Sequence, residues 1–465
     1  MTLNSLANQI ENGERTSRSL TEEALKKIKN QNISTNAFIT VSGEQALEQA
    51  DELDSERKVG KVRGPLHGVP IAVKDMIDTK EIRTTMGSKV FSSNVPDSDA
   101  AVVRKLKAAG AIIIGKTNTH EFAYGPIGDR SFFGASRNPY NQKKITGGSS
   151  GGSGAAVGAG MVSAAIGTDT GGSIRIPASA CGIVGMKPTF GRVSKRGSFP
   201  LAYTLDHIGP MTLTVRDNAE LLNVMAGYDS EDPFSKRFET EDFISKMRED
   251  IRGRVIGVPD WYFRRIDPEV RTAIDRCQDL YEEMGAVIRK VTMPIMPKIA
   301  EAQVVTIQAE AAAVHQKTLQ HHKGGVDEEV YERLMASTSV KGYEYVEAQI
   351  GRQNLIREYN KVFEEVDVLL TPTIPTLPTD LGQREVEVEG EKESVRSALL
   401  RLTSPTNYTG NPSLSIPCGL SRNGLPIGAQ LIGKHGEEAT LYQFGYALEQ
   451  MLDLRRVNGR IQQMF

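Results

Sequence analysis

Short apolar runs alternate with amphipathic stretches along almost the whole chain. Residues 66–74 and 111–114 are short and apolar, which is typical of buried strands. Residues 100–109 and 268–284 have the spacing of apolar positions that predicts helices. Further strands are predicted at residues 255–258, 287–291, 366–370, 414–416 and 429–432, and a last helix from residue 437 to about 452. This alternation predicts an α/β fold in which a sheet is covered by helices on both faces.

Three local patterns add detail to this outline. Ser19 and Glu22 have the spacing of a capping box, which predicts a short helix running from there toward Asn30. The charged run at residues 383–393 predicts a solvated hairpin or loop. The glycine- and serine-rich run at residues 147–160 is followed directly by apolar residues, which a flexible linker lacks. It therefore predicts backbone segments that pack closely around a site.

The composition excludes several classes of protein. The chain has 465 residues, 39% of them hydrophobic and 25% charged, and its net charge of −2 gives no bulk attraction to nucleic acid. No apolar run reaches the roughly 18–20 residues that span a bilayer, and the N-terminus lacks a signal-peptide pattern. The three cysteines are scattered without a CxxC pair, which suits a reducing compartment. We expect a cytoplasmic protein that contacts neither membrane nor nucleic acid directly.

The length leaves two domain organisations open. A chain of 465 residues predicts about three domains of roughly 150 residues each. A single large α/β layered structure is the alternative, and no linker or repeat divides the chain. Composition alone cannot choose between them.

Two glycine-rich patterns match known motifs but lack the context that those motifs need. Residues 110–117 (GAIIIGKT) fit the phosphate loop, yet a predicted helix precedes them and strand formers lie between the glycines. Residues 147–151 (GGSSG) fit a nucleophile elbow, yet polar, loop-like residues precede them where an elbow needs a strand. None of the seven histidines has metal-ligand spacing, so no metal is expected and His207 is expected to be structural.

A second glycine-rich segment, residues 168–175 (TDTGGSIR), carries candidate chemistry. Its successive backbone amides can converge on one anion, which an oxyanion hole requires when a carbonyl becomes tetrahedral. These amides are those of Thr170, Gly171, Gly172 and Ser173. Asp169 and Arg175 flank the turn and are expected to clamp it by an ion pair. Taken alone, the segment fits a Gly-Gly turn with an incidental serine equally well.

Lys74, at the end of a predicted strand, is the second candidate. A lysine in that position is usually solvated and charged. A buried lysine loses its charge because desolvation disfavours the ammonium form. It can then act as a general base where no histidine is available.

Together, Lys74, residues 147–153 (GGSSGGS) and residues 169–177 (DTGGSIRIP) resemble the amidase signature family. The spacing of these segments matches as well, and the similarity extends over most of the chain. The resemblance implies one large mixed sheet with helices on both faces. It favours a single domain over residues 1–465, with a short helical segment at about residues 1–65 packed on it.

The resemblance also implies a Ser–cis-Ser–Lys triad. Ser173 is the expected nucleophile, and Ser149, with the preceding peptide bond held cis, is the expected bridge to the base Lys74. Ser150, Asp169 and Arg175 are expected to support these residues. The implied reaction cleaves an amide bond through a seryl acyl-enzyme, releases ammonia or an amine, and needs no cofactor.

Two functional classes within the family remain open. A stand-alone amidase takes a small-molecule amide, and a homodimer is compatible with it. The A subunit of glutamyl-tRNA(Gln) amidotransferase instead supplies ammonia from glutamine to partner subunits. As aligned, that subunit usually has glutamine where His207 stands, and an acidic residue within the segment at residues 399–403, which here is apolar and basic. An unpaired glutamine ammonium costs roughly 1–3 kcal/mol, so the sequence favours the stand-alone amidase.

Overall fold

The centre of the fold is one mixed β-sheet. The computed structural model describes residues 2–239 and 241–452. The strands are β1 (Phe38–Val41), β2 (Pro70–Lys74), β3 (Ile112–Thr117), β4 (Ala164–Asp169), β5 (Val184–Lys187), β6 (His207–Thr212), β7 (Val255–Pro259), β8 (Val287–Val291), β9 (Val368–Pro372), β10 (Glu385–Val388), β11 (Glu391–Ser394), β12 (Ser413–Leu420) and β13 (Pro426–Ile432). Within the described residues, eleven strands form the sheet in the order β1-β3-β2-β4-β6-β5-β12-β13-β9-β7-β8, and β10 pairs only with β11.

Helices occupy most of the connections between these strands. They are α1 (Leu3–Glu11), α2 (Ser17–Thr35), α3 (Gly43–Lys58), α4 (Ala101–Ala108), α5 (Gly151–Gly158), α6 (Arg175–Ala180), α7 (Val215–Met225), α8 (Pro268–Glu283), α9 (Met296–Val314), α10 (Gln316–His321), α11 (Glu328–Ser337), α12 (Gly342–Asn360), α13 (Val395–Arg401), α14 (Ser404–Thr409) and α15 (Glu438–Met451). None of those described is both long and apolar enough to cross a membrane.

Both faces of the sheet are covered, as the sequence predicts. Along β2, Ile71 and Val73 belong to an apolar core that includes residues of α4, α7 and α15. Ala72, between them, belongs to a second core with residues of α2, α3 and α5. Successive strand residues point to opposite faces, so the two cores lie on opposite sides of the sheet.

The strand order brings two chain segments to one edge of the sheet. The strand β2 lies between β3 and β4 and is parallel to both. Because parallel strands end at the same edge, Lys74 at the end of β2 lies near Thr168 and Asp169 at the end of β4. The next strand, β6, is antiparallel to β4 and pairs His207 with Asp169.

The predicted elements are present, with differences at their ends. The strand predicted at residues 66–74 begins only at Pro70, and the one predicted at residues 366–370 runs from Val368 to Pro372. The capping box assigned to Ser19 and Glu22 is wrong. Helix α2 begins at Ser17, two residues earlier, and continues past Asn30 to Thr35.

The physical reason for the earlier start is a different cap. The Thr16 hydroxyl accepts a hydrogen bond from the Ser19 amide at 3.0 Å, and the Ser19 hydroxyl accepts one from the Thr16 amide at 3.2 Å. A serine therefore takes the place that glutamate has in the usual capping box. The helix ends where Asn36 adopts a left-handed conformation, with φ of 49°.

Three further predictions from local patterns are confirmed. The charged run at residues 383–393 covers all of the hairpin formed by β10 and β11 except its last residue, Ser394. The phosphate-loop match at residues 110–117 is a buried strand that follows helix α4. In the glycine-rich run, a Cβ atom at Gly152 would lie 2.3 Å from the Asn118 amide nitrogen, so only glycine permits this packing.

Candidate active site

Lys74 lies fully buried at the end of β2. Its Nζ donates hydrogen bonds to Ser149 Oγ and to Thr168 Oγ1, each at 2.7 Å. Burial lowers the pKa of Lys74 to about 7, although the carboxylates of Asp169 and Asp206 act in the opposite direction. A substantial fraction of the amine is therefore neutral near pH 7, the form that can accept a proton.

Ser149 lies just before helix α5, and the peptide bond between Gly148 and Ser149 is cis. The loop at residues 125–128 packs directly against this peptide bond. A Cβ atom at Gly148 would lie 2.7 Å from the Gly128 amide nitrogen and 3.0 Å from the Gly125 carbonyl oxygen. The Ser149 carbonyl oxygen accepts a hydrogen bond from the His120 amide at 3.2 Å.

Ser150 joins the segment of Ser149 to the segment of Ser173. The Ser150 amide donates to the Ser173 carbonyl oxygen at 3.2 Å. The Ser150 hydroxyl donates to the Thr168 carbonyl oxygen at 3.1 Å and accepts from the Thr168 amide at 3.3 Å. These bonds hold the end of β4 against the start of α5.

Ser173 is only 5% exposed. Its hydroxyl makes no hydrogen bond with the Ser149 hydroxyl in the part of the chain that the structure describes. Lys74 is thus hydrogen-bonded to the Ser149 side chain. The segments of Ser149 and Ser173 are linked through the hydrogen bond from the Ser150 amide to the Ser173 carbonyl oxygen. A serine hydroxyl moves by rotation about one bond, and catalytic hydrogen bonds are often long before substrate binds.

The turn between β4 and α6 is built around the Asp169 carboxylate. Its Oδ1 accepts from the Gly172 amide at 2.7 Å, and its Oδ2 accepts from the Ile174 amide at 3.1 Å. The Gly172 N–H, one of the four amides predicted to form an oxyanion hole, is thus hydrogen-bonded to the carboxylate that shapes the turn.

Asp169 and Arg175 form the ion pair that the sequence predicts. Arg175 Nε lies 3.0 Å from Asp169 Oδ2 and Arg175 Nη2 lies 3.0 Å from Asp169 Oδ1, with both side chains fully buried. Burial raises the pKa of Asp169, but the Arg175 guanidinium outweighs burial and holds the pKa below its usual value. The carboxylate therefore stays charged and continues to accept hydrogen bonds from the Gly172 and Ile174 amides.

The residues that accept the remaining hydrogen bonds of the Arg175 guanidinium were not predicted from the sequence. Its Nη1 donates to Thr403 O, Thr406 Oγ1 and Gln430 Oε1, and its Nη2 donates to Asn407 Oδ1. Asn407 Nδ2 in turn donates to Asp169 Oδ1 at 2.8 Å. Gln430 is polar within the otherwise apolar strand β13, and this local anomaly was the available signal.

Hydrogen bonds on both ring nitrogens hold the His207 side chain in place. Its Nδ1 lies 2.7 Å from the Leu205 carbonyl oxygen and 3.2 Å from that of Asp169. A carbonyl only accepts, so Nδ1 carries the proton and Nε2 accepts from Lys187 Nζ at 3.3 Å. Burial, followed by the Lys187 charge, lowers the pKa of His207 well below its ordinary value, so the ring is neutral.

Two walls surround the turn that carries Ser173. On one side, a Cβ atom at Gly171 would lie 3.1 Å from Leu400 Cδ2 and 3.9 Å from Gln303 Nε2. On the other side is a cavity of about 270 Å³ whose lining includes Thr168, Thr170, Phe199, Asp206 and His207. The site is therefore a buried serine and lysine cluster with space beside it.

The chain is similar to known proteins along nearly its whole length. The sequence profile of the Amidase family matches residues 19–442. The A subunit of the glutamyl-tRNA(Gln) amidotransferase of Natranaerobius thermophilus is 38% identical over an alignment of 477 positions, which covers 98% of this chain and 96% of that protein.

Solved structures show the same architecture. One comes from a vestigial protein complex that reveals the evolutionary origins of an s-triazine catabolic enzyme. Its TM-score is 0.93 and its identity 34%, over 97% of this chain and 98% of that one. A bacterial aryl acylamidase of the amidase signature family has a TM-score of 0.92 and 26% identity, over 99% of this chain and 98% of its own.

Proposed function

Because the chain belongs to the amidase signature family, whose enzymes hydrolyse carbon–nitrogen amide bonds, we propose that it works through a seryl acyl-enzyme on Ser173. The observation that carries the proposal is the hydrogen bond between the buried Lys74 Nζ and Ser149 Oγ, at 2.7 Å. A lysine whose pKa is lowered to about 7 by burial supplies the base that this chemistry needs.

In the proposed first step, neutral Lys74 accepts the proton of Ser149 while Ser149 accepts the proton of Ser173. Ser173 Oγ attacks the amide carbonyl carbon and the carbonyl π electrons move to its oxygen. The amides of Thr170, Gly171 and Ser173 stabilise that oxyanion, which is worth about 2.7–4 kcal/mol per donor.

In the second step the tetrahedral intermediate collapses and the C–N bond breaks. The proton held by Lys74 returns through Ser149 to the leaving nitrogen, which departs as ammonia or an amine. Water, deprotonated by the same relay, then attacks the ester on Ser173 and releases the carboxylic acid.

The first candidate substrate class is a small-molecule amide released to solvent. Leu400 Cδ2, 3.1 Å from the Cβ position of Gly171, supports it, because an apolar side chain there offers no partner to the ammonium of glutamine. The second candidate is the glutaminase component of an amidotransferase. The similarity to an amidotransferase A subunit, at 38% identity over nearly the whole chain, supports the second candidate more strongly than the first.

The nucleophile is tested by a serine-directed fluorophosphonate probe. We expect the probe to label Ser173, Ser173→Ala to abolish turnover, and Ser149→Ala to lower it by about 10²–10⁴-fold. Ser55→Ala, on the exposed side of α3, is the matched control and is expected to keep full activity. Full activity of Ser173→Ala, or labelling mainly at Ser149, contradicts the assignment.

The two candidates are separated by one assay of ammonia release. The panel contains aliphatic, aromatic and amino-acid amides together with glutamine, with and without amidotransferase partner subunits. Turnover of several amides by the chain alone supports the first candidate. Activity confined to glutamine, or dependent on the partner subunits, establishes the second.

A further inference from the structure

The wall beside Gly171 holds a buried amide side chain without a partner. Gln303, on helix α9, is only 5% exposed, and its Nε2 lies 3.9 Å from the Cβ position of Gly171. Its amide makes no hydrogen bond within the described residues. Buried polar groups are normally hydrogen-bonded, so this side chain is poised to bind a group that enters the site.

An unpaired guanidinium lies on the same wall. Arg396 is on helix α13, four residues before Leu400, so the two side chains share one face of the helix about one turn apart. Among the described residues, the buried Nε atom of Arg396 has no hydrogen-bond partner. Across the described ranges, residues 2–239 and 241–452, no carboxylate pairs with Arg396.

Two contacts of helix α13 indicate where Arg396 lies relative to the two serine segments. Its guanidinium carbon lies 6.0 Å from the ring centroid of Tyr124. Tyr124 precedes Gly125, whose carbonyl oxygen lies 3.0 Å from the Cβ position of Gly148. Leu400, one turn further along α13, contacts Gly171 on the other side. One face of helix α13 therefore has Arg396 beside the Tyr124 ring and Leu400 beside the turn that carries Ser173.

The neighbouring guanidinium of Arg333 differs in having its own partners. Arg333 is paired with Glu329 at 3.0 Å and also donates to the Tyr124 carbonyl oxygen. Its pKa is lowered by burial and, next, by the positive charge of Arg396. Of these two neighbouring arginines, Arg396 is thus the one that pairs with no carboxylate in the described part of the chain.

We propose that Arg396 is a specificity-determining residue that binds a carboxylate on the acyl part of the substrate. The substrate class is then the monoamide of a dicarboxylic acid, whose far carboxylate meets Arg396 while its amide carbonyl meets Ser173. A planar guanidinium matches a carboxylate with two parallel hydrogen bonds. The amide of Gln303 adds a neutral hydrogen bond to the same chain. This inference rests on the proposed hydrolysis of a small-molecule amide.

The same wall disfavours an ammonium group on that acyl chain. Leu400 offers it no hydrogen bond, Arg396 repels it, and the Glu329 carboxylate is already paired with Arg333. We therefore expect glutaramate, which lacks an α-amino group, to bind more tightly than glutamine.

Binding to Ser173→Ala, measured by titration calorimetry, tests the inference without turnover. The ligands are succinamate, glutaramate and adipamate, each beside its neutral analogue butyramide, valeramide or hexanamide, together with glutamine. We expect at least one monoamide acid to bind about 10- to 100-fold more tightly than its analogue. Adding Arg396→Met should remove that advantage and leave the affinity for the neutral amides unchanged.

Two further variants keep the test decisive. Arg396→Lys retains the charge but loses the paired hydrogen bonds, so it should weaken the acid ligands several-fold even if Arg396→Met does not fold. Arg357→Met, an exposed arginine on α12 that contacts Asn354, is the matched control and should change nothing. The inference is overturned if no acid binds more tightly than its analogue, or if Arg396→Met or Arg396→Lys leaves the difference intact. Failure of the proposed function appears elsewhere, as turnover that survives Ser173→Ala.

Discussion

Lys74 shows how far the surroundings of one residue change its chemistry. Lysine has an ordinary pKa near 10.4, and at that value almost none of it is a base at neutral pH. Complete burial at the end of β2 lowers the pKa of Lys74 to about 7. The amine is hydrogen-bonded to two hydroxyl groups, each at 2.7 Å. The same side chain on the surface has no role in a proton relay.

We expect the rate to rise with pH along a limb governed by Lys74. Only the neutral amine accepts a proton, and its fraction grows as the pH rises through about 7, so kcat/KM should increase there and then level off. Lys74→Arg should lose about 10²–10⁴-fold, because arginine keeps its proton throughout the accessible range. The measurement is kcat/KM for a neutral amide from about pH 5 to about pH 10, roughly two units below and three units above the limb.

The control for this variant is Lys58→Arg, an exposed lysine at the end of α3 that should behave as the parent. If Lys74 only anchors the strand or supplies charge, the arginine variant should remain active. Retention of about half the parent rate by Lys74→Arg would rule out Lys74 as the general base.

At the scale of elements, the turn from β4 to α6 depends on side chains from distant parts of the chain. Asp169 holds the amides of Gly172 and Ile174, and Arg175 holds Asp169. Arg175 is held in turn by α14 and β13 through Asn407 and Gln430. The conformation that presents Ser173 therefore rests on one buried ionic network.

We expect Arg175→Met to lower the free energy of unfolding by about 3–5 kcal/mol, because it leaves Asp169 buried without its partner. Turnover should fall as well, since Asp169 then no longer holds the turn in place. Urea unfolding followed by circular dichroism measures the first effect and an amide assay the second. Arg18→Met, which removes the exposed ion pairs with Glu22 and Asp51, is the comparison and should leave the midpoint nearly unchanged. Equal midpoints for the two variants would show that the network is not needed for stability.

At the scale of the whole molecule, we propose that residues 1–465 form one domain that unfolds as a unit. The N-terminal segment is tied into the sheet, because β1 pairs with β3. Its first helix is tied to α7, since the Leu3 amide donates to Asp217 Oδ2 at 3.0 Å. The second of these contacts joins residues that are 214 positions apart along the chain.

A single cooperative transition is the expected result of urea unfolding. Fluorescence of Trp261, the one tryptophan of the chain, and far-ultraviolet circular dichroism should give the same midpoint. Limited proteolysis between α3 and β2 should not release a folded remainder, because removal of residues 1–65 exposes the edge of β3. A separate early transition, or a stable fragment that begins near residue 66, would contradict the single domain.

The order of the amino acids was enough to predict the elements and the chemical groups. The period and length of the apolar runs predict β2, β3 and the helix between them, because side-chain burial repeats locally along a strand or helix. The glycine-rich segments and Lys74 predict the candidate triad through their resemblance to a family. The ion pair of Asp169 and Arg175 was also predictable, since the two residues flank one short turn.

Which distant groups meet at that turn depends on the packing of the whole chain. The contact from Arg175 to Gln430 spans 255 residues, and the Gly172 amide donates to the Asp169 carboxylate. The approach of Gln303 and Leu400 to Gly171 depends on how α9 and α13 pack beside the sheet. Periodicity reports only whether a position is buried, whereas these contacts depend on strand order and helix packing, which no local pattern encodes.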